Sequence, residues 1–376
     1  MASSSASHFD LVVVGAGIVG LAHAYTAARR GLKVCVVERD AACVGASVRN
    51  FGFITVTGQG AGDTWRRARR AREVWGEVAP QAGIAALHHG LYLMASHPLA
   101  LPVLQAFMAT EMAQGCELLE PAEAARRAPA LQLDGAQAVL YSPHEMRVES
   151  RTAIGLLARW LAEAHGVVFR FGEAVLEVAT PRVRTARGLL FGERVVVCTN
   201  TELHGLFAER LAPHGLRLCQ LQMLRVEAEP GFRLPGAVMA DLSLVRYHGY
   251  SRLPAAAPLL AQLRREHAES LEHGIHLIVV QSADGSLVVG DSHHYGAAPE
   301  PFAQERVDAL ILQHLRATLR LRSCKVRERW VGVYPSSAET DCLIDRPDEA
   351  TRVVLVTSGT GASTAFGIAE EVLDAW

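Results

Sequence analysis

The chain of 376 residues has almost no lysine: Lys33 and Lys325 are the only two, and arginine supplies the rest of its positive charge. An excess of one charge sign is missing too, with a formal net charge of -2 and a pI near 6.8. This leaves no strongly basic surface for nucleic acid or anionic lipid, so neither partner is expected. No stretch approaches the roughly 18 apolar residues of a membrane span. The start, Met1–His8, is polar and serine-rich, without a basic region or an apolar segment. It is expected to be a disordered tail rather than a signal peptide. The seven cysteines include no C-x-x-C pair. Their odd number and scatter suit a reducing cytoplasm and exclude a cysteine-built zinc site, and no metal is expected. No internal repeat or low-complexity segment is visible.

What is present begins at Leu11-Val12-Val13-Val14, four apolar residues suited to a buried parallel strand. Gly15-Ala16-Gly17-Ile18-Val19-Gly20 follows, then Ala24, Gly31 and a second apolar run ending at Glu38. Gly15 permits a tight turn, Gly17 a close approach to a pyrophosphate, and Gly20 close packing of helix on strand. The free N–H groups at the helix start, including those of Ile18 and Val19, sit at the positive end of the helix dipole and favour an anion. Glu38 ends the second strand where a ribose hydroxyl pair would lie, with Arg39 next to it. Strand, glycine triplet, helix and terminal acid in register predict an adenine-dinucleotide site.

Further along, Gly45–Gly52 is too polar and glycine-rich for a core element. Asp63–Val78 reads as a helix with Trp65, Val74 and Trp75 available for burial. Arg151–His165 is an amphipathic helix stopped by Gly166. Val167–Arg170, Ala174–Ala179, Arg182–Thr185 and Arg194–Cys198 read as strands, the last ending at Thr199-Asn200. Leu221–Glu227, Gly236–Ala240 and Ser243–Tyr250 are strand-like, and Asp284-Gly285 marks a hairpin between Ile275–Gln281 and Ser286–Asp291. Pro301–Leu321 is helical. Val353–Val356 is a buried strand leading through Ser358-Gly359-Thr360-Gly361 into a helix over Ala362–Leu373. His88-His89 reads as surface.

Together Val12–Glu38, Ser47–Gly52, Val195–Asn200, Trp330–Gly332 and Ser358–Glu370 resemble the D-amino-acid oxidase family of flavoenzymes, the group containing glycine oxidase and sarcosine oxidase. The resemblance implies an α/β fold: a discontinuous Rossmann-like FAD-binding domain (residues 1–85, 145–215 and 326–376) with an inserted mixed or antiparallel-sheet substrate domain (86–144 and 216–325). It implies FAD held by Gly15, Gly17, Ile18, Val19, Gly20, Glu38, Arg39, Ser47, Val48, Asn50, Thr199, Asn200 and Gly332, with the strand around Val175 on the adenine. It also implies that Gly359, Thr360, Gly361, Ala362, Ser363 and Thr364 aim a helix N-terminus at the flavin pyrimidine.

Two departures bear on the substrate. Where amino-acid oxidases of this family carry a carboxylate-binding arginine, this chain reads Gly332-Val333-Tyr334-Pro335. Where sarcosine oxidases carry a lysine on the last helix, Ser363 stands. Those enzymes tether FAD through a cysteine; Val333 takes its place, so FAD is expected to be non-covalent. Ser47–Gly52, Gly290–Tyr295 and Ser358–Gly367 resemble a bacterial subgroup associated with aminophosphonate breakdown. A phosphonate, with up to two charges and three acceptor oxygens, calls for several donors. Arg49, Arg246, Tyr247, Tyr250, His293, His294, Tyr334 and Ser363 are the candidates; of the adjacent histidines, at most one faces the flavin. The expected reaction is oxidation of a small amine to an imine, then hydrolysis. The electron acceptor is O2 or another oxidant. An amino-acid oxidase of the glycine or sarcosine kind, a 2-hydroxy-acid dehydrogenase, which a buried His293 or His294 would favour, and a non-catalytic flavoprotein are the alternatives.

Overall fold

The computed structural model describes residues 8–376, so seven of the eight residues expected to form a tail lie outside the described part. His8 does not belong to a tail, because it opens the first strand. That strand, His8–Val14, sits in the middle of a sheet ordered Cys342–Asp345, Thr351–Val356, Gly188–Val197, His8–Val14, Val34–Glu38, Val168–Phe171. All neighbours pair parallel except the Cys342–Asp345 edge. Leu11, Val12, Val13, Val195, Val196 and Val197 are fully buried, as strands covered on both faces must be. Helices Ile18–Arg29, Asp63–Gln81, Ser150–His165 and Gly361–Asp374 supply much of the cover. Gly166, at φ +66°, ends the third of these in the left-handed conformation, as expected of a glycine stop.

The helix Asp63–Gln81 buries Trp65, Val74 and Trp75. Trp75 meets Phe366 edge-on at 5.4 Å and donates its indole N–H to the Ala362 carbonyl at 2.8 Å. One side chain thus fixes where the last helix begins. Arg67 and Arg70 of the same helix pair with Glu371 and Glu370.

The second sheet is mixed and mostly antiparallel. Its long members are Ala86–Ala95, Ala138–Val148, Arg217–Ala228 and Cys324–Ser336. The hairpin at Asp284-Gly285 joins Ile278–Gln281 to Leu287–Gly290, with Ile278 opposite Gly290. Three expectations change here. Residues 326–336, grouped above with the cofactor domain, pair along Arg217–Ala228 in this second sheet. Ser243–Tyr250 is no strand: it forms two short helices, Asp241–Leu244 and His248–Ser251, because its apolar residues pack inward off the sheet edge. His88 is also buried and not surface, its Nε2 accepting the Gln281 N–H at 3.3 Å.

Candidate active site

The two sheets meet around one large cavity. Its cofactor side is made chiefly of backbone. Gly15 has φ +103°, and a Cβ there would stand 2.6 Å from the Cys198 carbonyl oxygen. A Cβ on Gly20 would collide with the Gly15 carbonyl oxygen. Both glycines therefore let the first helix start hard against the strand ends. Gly17, Ile18 and Val19 face the cavity, and the Ile18 N–H donates to Ser47 Oγ at 2.9 Å. Asn50 also faces it, but its side chain is spent on the loop: Nδ2 donates to the Ala46 and Ser47 carbonyls, and Oδ1 accepts the Gly52 N–H. Asn200 and Gly332 line the cavity with Gly359, Thr360, Gly361, Ala362 and Ser363. Gly359, at φ +73°, lies against the Tyr334 ring, which a Cβ would approach to 2.9 Å. No side chain caps the helix that follows, so its first N–H groups face the cavity unpaired with any cap.

Other expected cofactor residues stand apart from the cavity wall. Glu38 accepts N–H groups from Ala16 at 2.8 Å and Asp40 at 3.0 Å, closing the glycine loop onto the second strand. Arg39 points outward to Glu202 at 2.6 Å. Val48 and Val175 pack on the edges of the core clusters. Thr364 Oγ1 bonds back to the Thr360 carbonyl at 3.0 Å. Thr199 Oγ1 is buried with no hydrogen-bond partner. An orphaned hydroxyl beside a glycine turn and bare helix starts fits an elongated, phosphate-bearing cofactor.

The opposite wall is made of side chains. Tyr334, Arg246, Tyr247 and His293 all face the cavity, and Arg49 lies exposed at its rim. Arg246 donates to the Tyr295 hydroxyl at 3.0 Å. Burial, with the neighbouring Cys219 thiol, holds the Tyr334 phenol well above its ordinary pKa, so it stays a hydroxyl donor. Two expectations fail. Tyr250 is fully buried away from the cavity, its ring 4.7 Å from Phe107, because it lies in the inward-facing short helix His248–Ser251 and not on a strand. His294 turns to His273, Nε2 to Nδ1 at 2.9 Å, as alternation along a chain that places His293 inward requires. Ser363 lines the wall, where its Oγ accepts the Thr55 N–H at 3.0 Å and keeps its own O–H to donate. Two residues were missed. Asp291 and His276 are buried in the wall beside His293, and their ring nitrogens and carboxylate oxygens lie within 4.8 Å of one another. No metal was expected, yet these are ligand types. The signal was the spacing 291 to 293, which puts both on one face.

The profile of the family described as FAD dependent oxidoreductase (DAO) matches residues 10–375. The chain belongs to this family. It is a FAD-dependent oxidoreductase with a Rossmann-type cofactor domain. No curated protein matches it in sequence. Among solved structures, glycine oxidase from Bacillus cereus ATCC 14579 is similar at TM-score 0.78 and 15% identity, covering 98% of this chain and 96% of that one. L-proline dehydrogenase from P. horikoshii is similar at TM-score 0.78 and 17% identity, with 98% and 93% covered. L-alpha-glycerophosphate oxidase from Mycoplasma pneumoniae, solved with FAD bound, reaches 0.74 at 16% identity, with 98% and 94% covered. At these identities the likeness shows the fold alone. No helix among the described residues is long and apolar enough to cross a membrane.

Proposed function

We propose that this enzyme oxidises a small amine carrying an acidic headgroup, a phosphonate in preference to a carboxylate, with O2 or another oxidant as final acceptor. Bound FAD supplies the two-electron acceptor. The residues of this chain supply position. Arg246 and Tyr334 reach the cavity from different segments, with Tyr295 held against Arg246. That dispersal is the observation that carries the reading: donors spread around a headgroup suit three acceptor oxygens, whereas a flat carboxylate is best met by one guanidinium fork. The amine nitrogen must lose its proton before its lone pair can assist loss of hydride from the neighbouring carbon. Water entering after oxidation hydrolyses the imine to a carbonyl compound and an amine or ammonia.

A buried His293 on the wall supports a second reading, oxidation of a 2-hydroxy acid, in which a base would take the hydroxyl proton. A protein without catalysis would sooner fill this cleft with side chains. Anaerobic mixing with a panel of aminophosphonates, amino acids, simple amines and 2-hydroxy acids, read by loss of flavin colour, separates these readings. Bleaching by 2-aminoethylphosphonate or its N-methyl derivative is expected. Bleaching by hydroxy acids alone overturns the amine reading. With Val333 in place of a tethering cysteine, acid precipitation is expected to leave the flavin in the supernatant; flavin pelleting with the polypeptide would show a covalent bond.

A further inference from the structure

His293 is held by its neighbours in one tautomer. Its Nδ1 lies 2.9 Å from the Gly274 carbonyl oxygen, which can only accept, so Nδ1 carries the proton and Nε2 presents a lone pair. That lone pair faces Asp291 Oδ2 at 3.7 Å, too far for a hydrogen bond and with no hydrogen to share. On the other side His276 Nε2 is 3.1 Å from Asp291 Oδ1, which leaves Oδ2 as the oxygen turned to His293. Asp291, His293 and His276 are 4%, 6% and 3% exposed. A buried carboxylate oxygen, Oδ2, set 3.7 Å from an imidazole lone pair with no hydrogen between them is costly unless a cationic donor bridges the two.

We propose that Asp291 and His293 form the site for the substrate's protonated amino group, an inference that rests on the amine reading above. The ammonium donates one N–H to Asp291 Oδ2 and one to His293 Nε2. The second N–H bond then breaks, its proton forms the Nε2–H bond of an imidazolium beside Asp291, and the electron pair stays on nitrogen. No electrons leave the substrate in this step; it delivers the free amine that oxidation needs. His293 is thereby a catalytic base and Asp291 both an ammonium ligand and the counter-ion of the imidazolium. His276 is a positioning residue, stacked on His293 at 5.1 Å.

The charges around the pair agree. Burial opposes ionisation of Asp291, but its neighbours, including the His276 ring at hydrogen-bond distance and the Arg246 charge, outweigh it and hold the carboxyl below its ordinary pKa. Burial, then Arg246, holds His293 well below its own. Tyr247, Tyr334, Tyr295 and Cys219 face the same space, all pushed up by burial and so neutral. The His273–His294 pair lies behind His293 on the far face. Among the described residues Arg246 is therefore the one fixed cation acting on His293. An acidic headgroup pairing with Arg246 would cancel its effect, so substrate binding itself would raise the basicity of His293.

The test compares flavin-loaded wild type, His293→Gln and Asp291→Asn by anaerobic stopped flow across pH with the same bleaching amine. In the wild type, reduction is expected to persist well below the amine's own pKa. In His293→Gln the acid limb is expected to move up to that pKa, with a loss of about 100-fold or more near pH 7 and recovery to within about tenfold once the amine arrives already neutral. Asp291→Asn should weaken binding of the protonated amine and leave binding of an alkylphosphonate that lacks the amino group unchanged. An unmoved acid limb in His293→Gln, or an equal loss at every pH, overturns the proposal while leaving the amine reading intact. Bleaching by no amine overturns the amine reading instead. Stoichiometric divalent metal in the purified holoenzyme, lost in His293→Gln, also overturns it, because the lone pair and carboxylate would then be metal ligands.

Discussion

The two walls of the cavity are built from different materials. On the cofactor side, Gly15, Gly17, Gly20, Gly359 and the first turns of two helices present peptide groups, and the Asn50 side chain spends its hydrogen bonds on holding its loop in place. On the substrate side, Arg246, His276, Asp291, His293 and Tyr334 present functional groups from separate segments, Tyr334 from the strand Cys324–Ser336 and the others from turns and loops beside the second sheet. Backbone recognition depends on where the chain can go, so a substitution there acts through sterics and all at once. Side-chain recognition depends on which groups converge, so a substitution there changes preference while the fold survives.

The largest effect is therefore expected at Gly20→Val on the cofactor side. Even the first added carbon collides with the Gly15 carbonyl oxygen, and two further methyl carbons cannot be accommodated without parting helix from strand. The variant should lose its yellow colour on purification and about 3 kcal/mol or more of stability by denaturant titration. A stable, flavin-loaded variant would show that the backbone wall is more yielding than its contacts imply.

Next comes Tyr334→Arg on the other wall. The position matches the carboxylate clamp of the amino-acid oxidases, and its ring is pressed between Gly359 and the cavity, 6.5 Å from His293. Restoring a fork should shift kcat/KM toward amino acids over phosphonates by about 100-fold, the worth of one charge-assisted bidentate contact. Flavin content should not change. Loss of flavin together with activity would mean that the two walls are not separable at this residue.

Glu38→Ala should be milder than Gly20→Val although both lie in the dinucleotide motif. The carboxylate tethers the Ala16 and Asp40 N–H groups and stands where the ribose hydroxyls are expected. A rise of about tenfold to 100-fold in the FAD dissociation constant is expected, from one charged acceptor worth roughly 1.5–3 kcal/mol. An unchanged constant, measured by flavin fluorescence, would limit Glu38 to bracing the loop.

The same contrast explains what could be read in advance. The glycine motif, Glu38 and the Gly359–Gly361 turn were legible because they are short, contiguous and dictated by backbone sterics. The hairpin at Asp284-Gly285 was legible for the same reason, and its register, Ile278 opposite Gly290, is what brings His276 beside Asp291. That consequence needs the pairing as well as the turn, so His276 escaped notice. Tyr250 was misplaced because Ser243–Tyr250 carries enough apolar residues for a strand, while its path is fixed by packing: Gly249 and Gly58 touch so closely that a Cβ on Gly249 would stand 2.6 Å from the Gln59 carbonyl oxygen. Long-range closeness of that kind leaves no local pattern.

The smallest expected effect concerns the interior of each region and not its wall. His23 lies in the first helix of the cofactor side, its Nδ1 2.7 Å from the Val19 carbonyl oxygen and its Nε2 buried without a partner. Burial lowers its pKa to about 4. On the substrate side burial lowers His314 to about 4 and His88 to about 3. Each stays neutral in the folded protein while its unfolded counterpart, near 6.5, takes up a proton. The unfolded chain therefore binds more protons below pH 6.5, and stability must fall as pH drops from there toward 4 and be flat above about 7. Going from pH 7 to pH 6, each histidine contributes a loss of about 0.7 kcal/mol, which follows from these pKa values by linkage. His23→Leu, which removes the titrating group and the orphaned nitrogen from an apolar helix face, should reduce the loss between pH 7 and 6 by that amount. Denaturant titrations at the two pH values measure it. An acid sensitivity unchanged by His23→Leu would show that His23 takes no part in the proton uptake and leave it to the other buried histidines, among them His88 and His314.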